Sequence, residues 1–289
     1  IYDEDGNSFI DLFAGASSNS LGYNNIDIIN KINNQYKKIQ HSCFCYSPLE
    51  EYCELSNKLK KTWKEKKLKI IYGLTGSDAN DAAIKCSLKY TKKEKILSFQ
   101  NGWHGVTGLS HQANGFNDIK NGIFFRNENF KHFLFPKDKI TFEKTYKEIE
   151  KELKKGNVAA MIFECIQGDG GNLTPYKNSL KKIETLLKKY ETLLIIDETQ
   201  SGNGRTGKYW SFQNFNLKPD LITSAKGITS GYYPLSICMG NEKIIDSLNK
   251  AQHVFTYTAN PIACIAAIET IKKINKASFL EKISENGKY

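Results

Sequence analysis

The chain has 289 residues, 40% hydrophobic, 12% aromatic and 25% charged, enough for one large α/β core or two average ones; disorder, collagen-like repeats and a small disulfide scaffold are excluded. No apolar run approaches the roughly 18 residues of a membrane span and no signal pattern is visible, so no membrane partner is expected. The formal net charge of +10 suggests nucleic acid only until its make-up is counted: of 41 basic residues all but Arg126 and Arg205 are lysines, and the planar fork that reads bases is nearly missing.

Ile1 runs directly into Asp3-Glu4-Asp5-Gly6 and the pattern stops mid-course at Tyr289, which reads as a fragment. Residues 1–45 form an incomplete N-terminal segment leading into the fold, and residues 46–289 the main body. Cys43-Phe44-Cys45 is either a thiol site or, more commonly, a pair of small buried cysteines beside an aromatic. The seven cysteines form no C-x-x-C pair and the five histidines do not fall at metal-ligand spacing with them, so no metal is expected and a reducing cytoplasm fits.

Apolar bursts then alternate with longer amphipathic stretches. Strands are predicted at Ile70 to Tyr72, Ile96 to Phe99, Val158 to Phe163, Leu193 to Ile196, Leu221 to Thr223 and Leu235 to Met239. Helices are predicted at Asp78 to Tyr90, Thr141 to Leu153, Asn178 to Tyr190, Lys243 to Asn249 and Pro261 to Asn275. The lysines of Lys58 to Lys69, Lys147 to Lys155 and Lys181 to Lys189 read as solvated helix faces, so no nucleic-acid partner is expected. Gly102 to Pro136, polar and rich in Gly and Asn, reads as a long functional loop. The alternation predicts an α/β fold with a mostly parallel central sheet flanked by helices.

Ligands of such sheets bind at the carboxyl ends of the strands. After the first strand, Thr75-Gly76-Ser77-Asp78 opens a helix; the amides of Gly76 and Ser77 suit a phosphate, while an ordinary N-cap by Ser77 or Asp78 explains the segment about as well. Leu193 to Ile196 ends in Asp197, a carboxylate that either caps the next loop or faces a cationic ring nitrogen or a metal. Leu221 to Thr223 leads to Lys226, placed as a nucleophilic amine for Schiff-base chemistry. With the flat Trp103, these groups are what pyridoxal phosphate requires: an amine for its aldehyde, a carboxylate for its nitrogen, a nest for its phosphate and a stacking ring.

In this order the residues resemble class-III aminotransferases of fold type I over essentially the whole length. The matching runs are Asp3-Glu4-Asp5-Gly6, Leu21-Gly22-Tyr23, Thr75-Gly76-Ser77-Asp78-Ala79-Asn80-Asp81-Ala82-Ala83, Trp103-His104-Gly105, Glu164-Cys165-Ile166-Gln167-Gly168-Asp169-Gly170-Gly171, Asp197-Glu198-Thr199-Gln200, Gly204-Arg205-Thr206-Gly207, Ala225-Lys226-Gly227, Thr256-Tyr257 and Asn260-Pro261. The resemblance implies that 46–289 is the pyridoxal-phosphate-binding large domain, with a small C-terminal domain largely missing. It implies Lys226 as the lysine that holds the cofactor and shuttles a proton, Asp197 on the pyridine nitrogen, Gln200 near the ring hydroxyl, Gly76 and Ser77 on the phosphate, Trp103 on the ring and Glu164 close by. Thr256 would reach the phosphate of the neighbouring subunit, which implies a homodimer with shared sites.

The implied reaction is transamination between an amino donor (an ω-amino acid, diamino acid or amine) and a keto-acid acceptor. Members that handle γ-aminobutyrate, ornithine or acetylornithine commonly carry an arginine after the aromatic-x-Gly run; here Val106 stands there and cannot grip a carboxylate. Asp169 replaces a common glutamate and Cys165 a usual proline, so Trp103, Val106 and Asp169 are the substrate-side candidates. The alternatives are a decarboxylating transaminase of dialkylglycine type or an aminomutase, and more remotely a basic binding protein with a vestigial pocket.

Overall fold

The computed structural model describes residues 1–63, 65, 67–120 and 127–289, so Arg126 lies outside the described residues. One sheet organises the chain. Its strands are β1 (Leu68–Gly73), β2 (Lys95–Phe99), β3 (Phe130–Phe133), β4 (Val158–Phe163), β5 (Leu193–Asp197), β6 (Leu221–Ser224) and β7 (Ser236–Asn241), in the order β1-β7-β6-β5-β4-β2-β3. From β6 to β3 every pairing is parallel, whereas β7 lies antiparallel between β1 and β6. The carboxyl ends of β1, β5 and β6 therefore lie on the same side of the sheet as the amino end of β7. Every residue of β4 is buried, as expected of a parallel strand covered on both faces.

The Gly76–Thr91 helix packs across β1, β4, β5, β6 and β7, and its buried residues are mostly small, Ala79, Asn80, Ala82, Ala83, Cys86 and Ser87 beside one larger Ile84. It ends where Lys92 turns left-handed at φ +58°. Pro261–Ile274 starts with Asn260 Oδ1 accepting from the Ile262 amide and Pro261 in the first turn, a favoured opening. It packs against Ile26–Lys38, a helix the sequence did not announce, and Glu50–Thr62, announced only by the lysine face from Lys58. Their buried stripes are narrow: Ile26–Lys38 buries only Ile28 and Gln35, too few apolar positions to stand out in a polar run.

All six predicted strands are present, and the differences lie elsewhere. The predicted loop from Gly102 to Pro136 contains the Gly108–Ala113 helix and the edge strand β3. β3 reads Phe-Lys-His-Phe, and its register against β2, rather than its own pattern, makes it a strand. The helix predicted from Lys243 to Asn249 stops at Ile245, and Ala277–Asn286 is a helix not predicted. The lysines from Lys58 to Lys69 do not share one helix face: the helix ends at Thr62, and Lys69 lies in β1. The expectation of buried cysteines at Cys43 and Cys45 is also corrected, since Cys45 is exposed and Cys43 half-buried; Phe44 takes the inward place and stacks on Tyr52 with centroids 5.1 Å apart.

Glu152 ties the β3 edge to the fold. Nearly buried, it meets Lys95 of β2 at 2.7 Å, Lys131 of β3 at 2.8 Å and Lys155 at 2.8 Å. Burial alone would raise its carboxyl, but the three lysines hold it at about 2 against an ordinary 4.5. A lowered value means that this stability is complete above 4.5 and lost as the pH falls toward 2. Glu152→Ala is expected to cost about 2 kcal/mol at pH 7, below the usual range for a broken buried pair because the lysines are partly exposed. Urea melts at pH 7 and pH 3 check this: the gap between variant and wild type should shrink at the lower pH.

Candidate active site

At the carboxyl ends of β1, β5 and β6 lies a cavity of about 380 Å³, lined by Gly76, Ser77, Trp103, Asp197 and Lys226 together with Asn80, His104, Thr199 and the Tyr232-Tyr233 turn. Five residues singled out from the sequence thus share one space. Glu164, Gln200, Thr256, Val106 and Asp169 do not line it.

The wall from the Gly76–Thr91 helix is set by its cap. Thr75 Oγ1 accepts from the Asp78 amide at 3.2 Å, and Asp78 Oδ2 accepts from the amides of Thr75 at 3.0 Å and Leu74 at 2.8 Å. Ser236 Oγ donates to Asp78 Oδ1 at 2.6 Å, which fixes this turn to β7. The cap is therefore Thr75, neither Ser77 nor Asp78. Among the described residues the amides of Gly76 and Ser77 have no acceptor, so the open end of a 16-residue helix faces the cavity.

The Trp103-His104-Gly105 turn packs onto that end. Gly105 has φ +128°, and a Cβ there would lie 2.4 Å from Ser77 Oγ, so only glycine fits. The next amide, of Val106, donates to Ser77 Oγ at 3.2 Å, while the Val106 side chain is half exposed. Gly105→Ala is expected to cost about 1–3 kcal/mol, the scale of one strained turn, read as a lower melting temperature.

Asp197 ends β5 with 1% exposure. Its Oδ2 accepts from Asn80 Nδ2 at 2.8 Å and from His104 Nδ1 at 2.9 Å, and its Oδ1 from the Thr199 amide at 3.0 Å. Thr223 Oγ1 lies 3.4 Å from Oδ1, but its single proton is given to Asn80 Oδ1 at 2.6 Å. One acceptor position on Asp197 is therefore unspent. Burial by itself would raise this carboxyl; the His104 hydrogen bond, with that from the Thr199 amide, outweighs it and holds the group below its ordinary value. The neighbouring Glu198 faces away and accepts from Ser211 and Phe212, a purely structural role.

Lys226 follows β6 at φ +44°, a left-handed position unusual for a lysine. Asn203 Nδ2 donates to Ser224 Oγ at 2.9 Å and to the Ala225 carbonyl at 3.4 Å, which holds the backbone just before it. Glu164 stands behind the cavity, accepting from the Trp103 amide at 3.0 Å and the Gly168 amide at 3.2 Å; burial pushes it up to about 7. Gln200 Nε2 donates to Ser17 Oγ at 3.3 Å, Asp169 is exposed, and Thr256 is exposed. Asn80 and Thr223 were not singled out from the sequence, nor His104 apart from its motif; their signal was a polar side chain inside an otherwise apolar stripe.

The profile of the family described as Aminotransferase class-III matches residues 1–289. The chain belongs to the class-III aminotransferases. It is 32% identical to a leucine/methionine racemase of Thermococcus litoralis, covering 100% of this chain and 68% of that protein. It is also 32% identical to an acetylornithine aminotransferase of Aquifex aeolicus, covering 100% and 74%. An (S)-enantioselective omega-transaminase from Thermomicrobium roseum superposes with a TM-score of 0.90 at 27% identity, over 99% of this chain and 68% of that one. The chain thus spans about two thirds of the length of the relatives it matches.

Class-III aminotransferases depend on pyridoxal phosphate, and the residues present fit it. The unpartnered amides of Gly76 and Ser77 suit a phosphate, Asp197 keeps an acceptor for a cationic nitrogen, Trp103 offers a flat wall and Lys226 a primary amine. No group of His, Cys, Asp and Glu that could hold a metal occurs among the described residues. No helix among them is long and apolar enough to cross a membrane.

Proposed function

We propose that this chain holds the cofactor of an enzyme that moves an amino group from an ω-amino acid, diamino acid or amine to a keto acid. The observation that carries the reading is the single cavity shared by Lys226, Asp197, Trp103 and the open helix end at Gly76 and Ser77. Pyridoxal phosphate supplies an electron sink when bound. The amides of Gly76 and Ser77 would donate to its phosphate, Asp197 would favour a positive charge on its nitrogen, and Trp103 would offer a flat wall to the ring. Lys226 Nζ would hold the cofactor until the donor amine displaces it, and the freed amine would then carry the proton at the reacting carbon. Glu164 fixes the Trp103 backbone; the resemblance puts Gln200 at the ring hydroxyl and Val106 and Asp169 on the donor side, although none of the three lines the cavity in this structure and Gln200 is turned to Ser17.

The same reading assigns 46–289 to the cofactor domain and 1–45 to a segment that adds Ser18 to the cavity wall. Exposed Thr256, flanked by exposed Phe255 and Tyr257, supports a homodimer in which Thr256 of each subunit reaches the other's cofactor phosphate. All seven cysteines are free thiols, which supports a reducing, cytoplasmic setting.

The similarity to the leucine/methionine racemase favours one second reading, in which the proton returns to the same carbon and the amino group is not transferred. A donor panel with pyruvate and 2-oxoglutarate separates the two. Keto-acid-dependent amine exchange supports transamination; inversion of an amino acid without a keto acid supports racemisation. Release of carbon dioxide from a dialkyl amino acid would indicate the decarboxylating alternative.

A further inference from the structure

We propose that residues 17–25 form a strap that clamps the turn carrying Lys226, with Arg205 and Tyr232 as the positioning residues at its two ends. The consequence for the cofactor rests on the proposed function; the clamp does not. The strap is entered through four successive left-handed residues, Ala14, Gly15, Ala16 and Ser17, at φ +50°, +57°, +54° and +66°. Only glycine takes that conformation without a steric penalty, so the other three must be held in it by contacts. Ser17 receives two: Arg205 Nη2 donates to its carbonyl at 3.0 Å and Gln200 Nε2 to its Oγ at 3.3 Å. The run that carries Arg205 is itself folded tightly, the Gly204 amide donating to the Tyr209 carbonyl at 3.0 Å and the Gly207 amide to the Gly204 carbonyl at 3.1 Å. One of the two arginines of the chain thus serves the entrance of the strap.

Beyond Ser17 the strap lies on the Lys226 turn. Its Leu21 amide donates to Ser230 Oγ at 2.9 Å and its Asn25 amide to Tyr232 Oη at 2.6 Å. The approach is so close that two positions of the turn must be glycine: a Cβ on Gly227 would lie 2.5 Å from Ser20 Oγ, and one on Gly231 1.9 Å from Asn19 Oδ1. The turn beneath is left-handed at two non-glycine residues, Lys226 at φ +44° and Ser230 at φ +51°. Backbone of that kind persists where its surroundings over-determine it, and the strap supplies that restraint from above. Ser18, Gly231 and Tyr232 line the same cavity as Lys226, so a shift of the strap would move the wall and the lysine together.

Hydrogen–deuterium exchange of the cofactor-free protein tests this, read in peptides spanning 14–25 and 226–233. Tyr232→Phe keeps the ring and loses the hydroxyl, Arg205→Met keeps the stem and loses the donors, and Arg205→Lys restores one donor. The first two are expected to speed exchange in both peptides by about three- to tenfold, the scale of one hydrogen bond, and Arg205→Lys by less than about threefold. Arg205→Met is the deciding arm: among the described residues the guanidinium bonds the strap and not the turn, so faster exchange at 226–233 must pass through the strap. Unchanged exchange at 226–233 in that variant would overturn the clamp, whether or not 14–25 quickened. With pyridoxal phosphate added, the rate of borohydride-stable adduct formation on Lys226 is expected to fall by about threefold or more in Tyr232→Phe and Arg205→Met and to recover in Arg205→Lys. Faster exchange with an unchanged adduct rate would overturn the positioning role. A wild type that bound no pyridoxal phosphate would overturn the proposed function alone, the clamp being decided by exchange.

Discussion

Replacing Lys226 with alanine is expected to abolish amine exchange by about 10⁴-fold or more, the scale seen when a group acting as both nucleophile and proton carrier is lost. The same variant should still bind pyridoxal phosphate, since Gly76, Ser77 and Asp197 are untouched, but none should remain on the denatured chain after borohydride. Folding should change little: Lys226 is half-buried at φ +44° and lines the cavity instead of packing the core, so near-wild-type melting is predicted. Loss of binding together with loss of rate would show that the lysine has a different role.

Asp197→Asn is expected to have the second largest effect. An amide keeps the shape but removes the charge, and its NH₂ must face groups that are already donors: Asn80 Nδ2 and His104 Nδ1 on one side, the Thr199 amide on the other. Losing the charge that faces the cofactor nitrogen removes a charge-assisted hydrogen bond worth up to about 3 kcal/mol, roughly a hundredfold in pyridoxal phosphate affinity. Fluorescence titration of cofactor-free protein measures it. The clash between donors is a separate cost that persists without the cofactor, so a lower melting temperature of the cofactor-free variant is expected too.

Much of this arrangement was legible in the sequence, for physical reasons. β4, β5 and β6 are buried on both faces, so they appear as continuous apolar runs, and a charge at the end of such a run, Asp197 or Lys226, stands out against it. β3 and the helix Ile26–Lys38 were hidden, and Glu50–Thr62 was announced only by its lysine face, because their order comes from neighbours: β3 from pairing with β2, the helices from the apolar flank of Pro261–Ile274. The cap went to Thr75 because Asp78 serves as its reciprocal partner, a pairing visible in the spacing but competing with Ser77 until Ser236 was placed beside Asp78. Asn80 stood in a matching run and as a polar residue in an apolar stripe, but its role could not be read. Its two long-range partners, Asp197 and Thr223, lie 117 and 143 residues away, and only the fold brings them to one point.

Lys226 is assigned as the residue that holds pyridoxal phosphate in the cavity at the amino end of the Gly76–Thr91 helix. Its most direct test is to incubate the protein with pyridoxal phosphate, reduce with borohydride, digest and map the modified peptide by mass spectrometry. The account predicts one stoichiometric adduct on Lys226, prevented by excess inorganic phosphate. Label spread over the surface lysines, or seated at another single lysine, would contradict it.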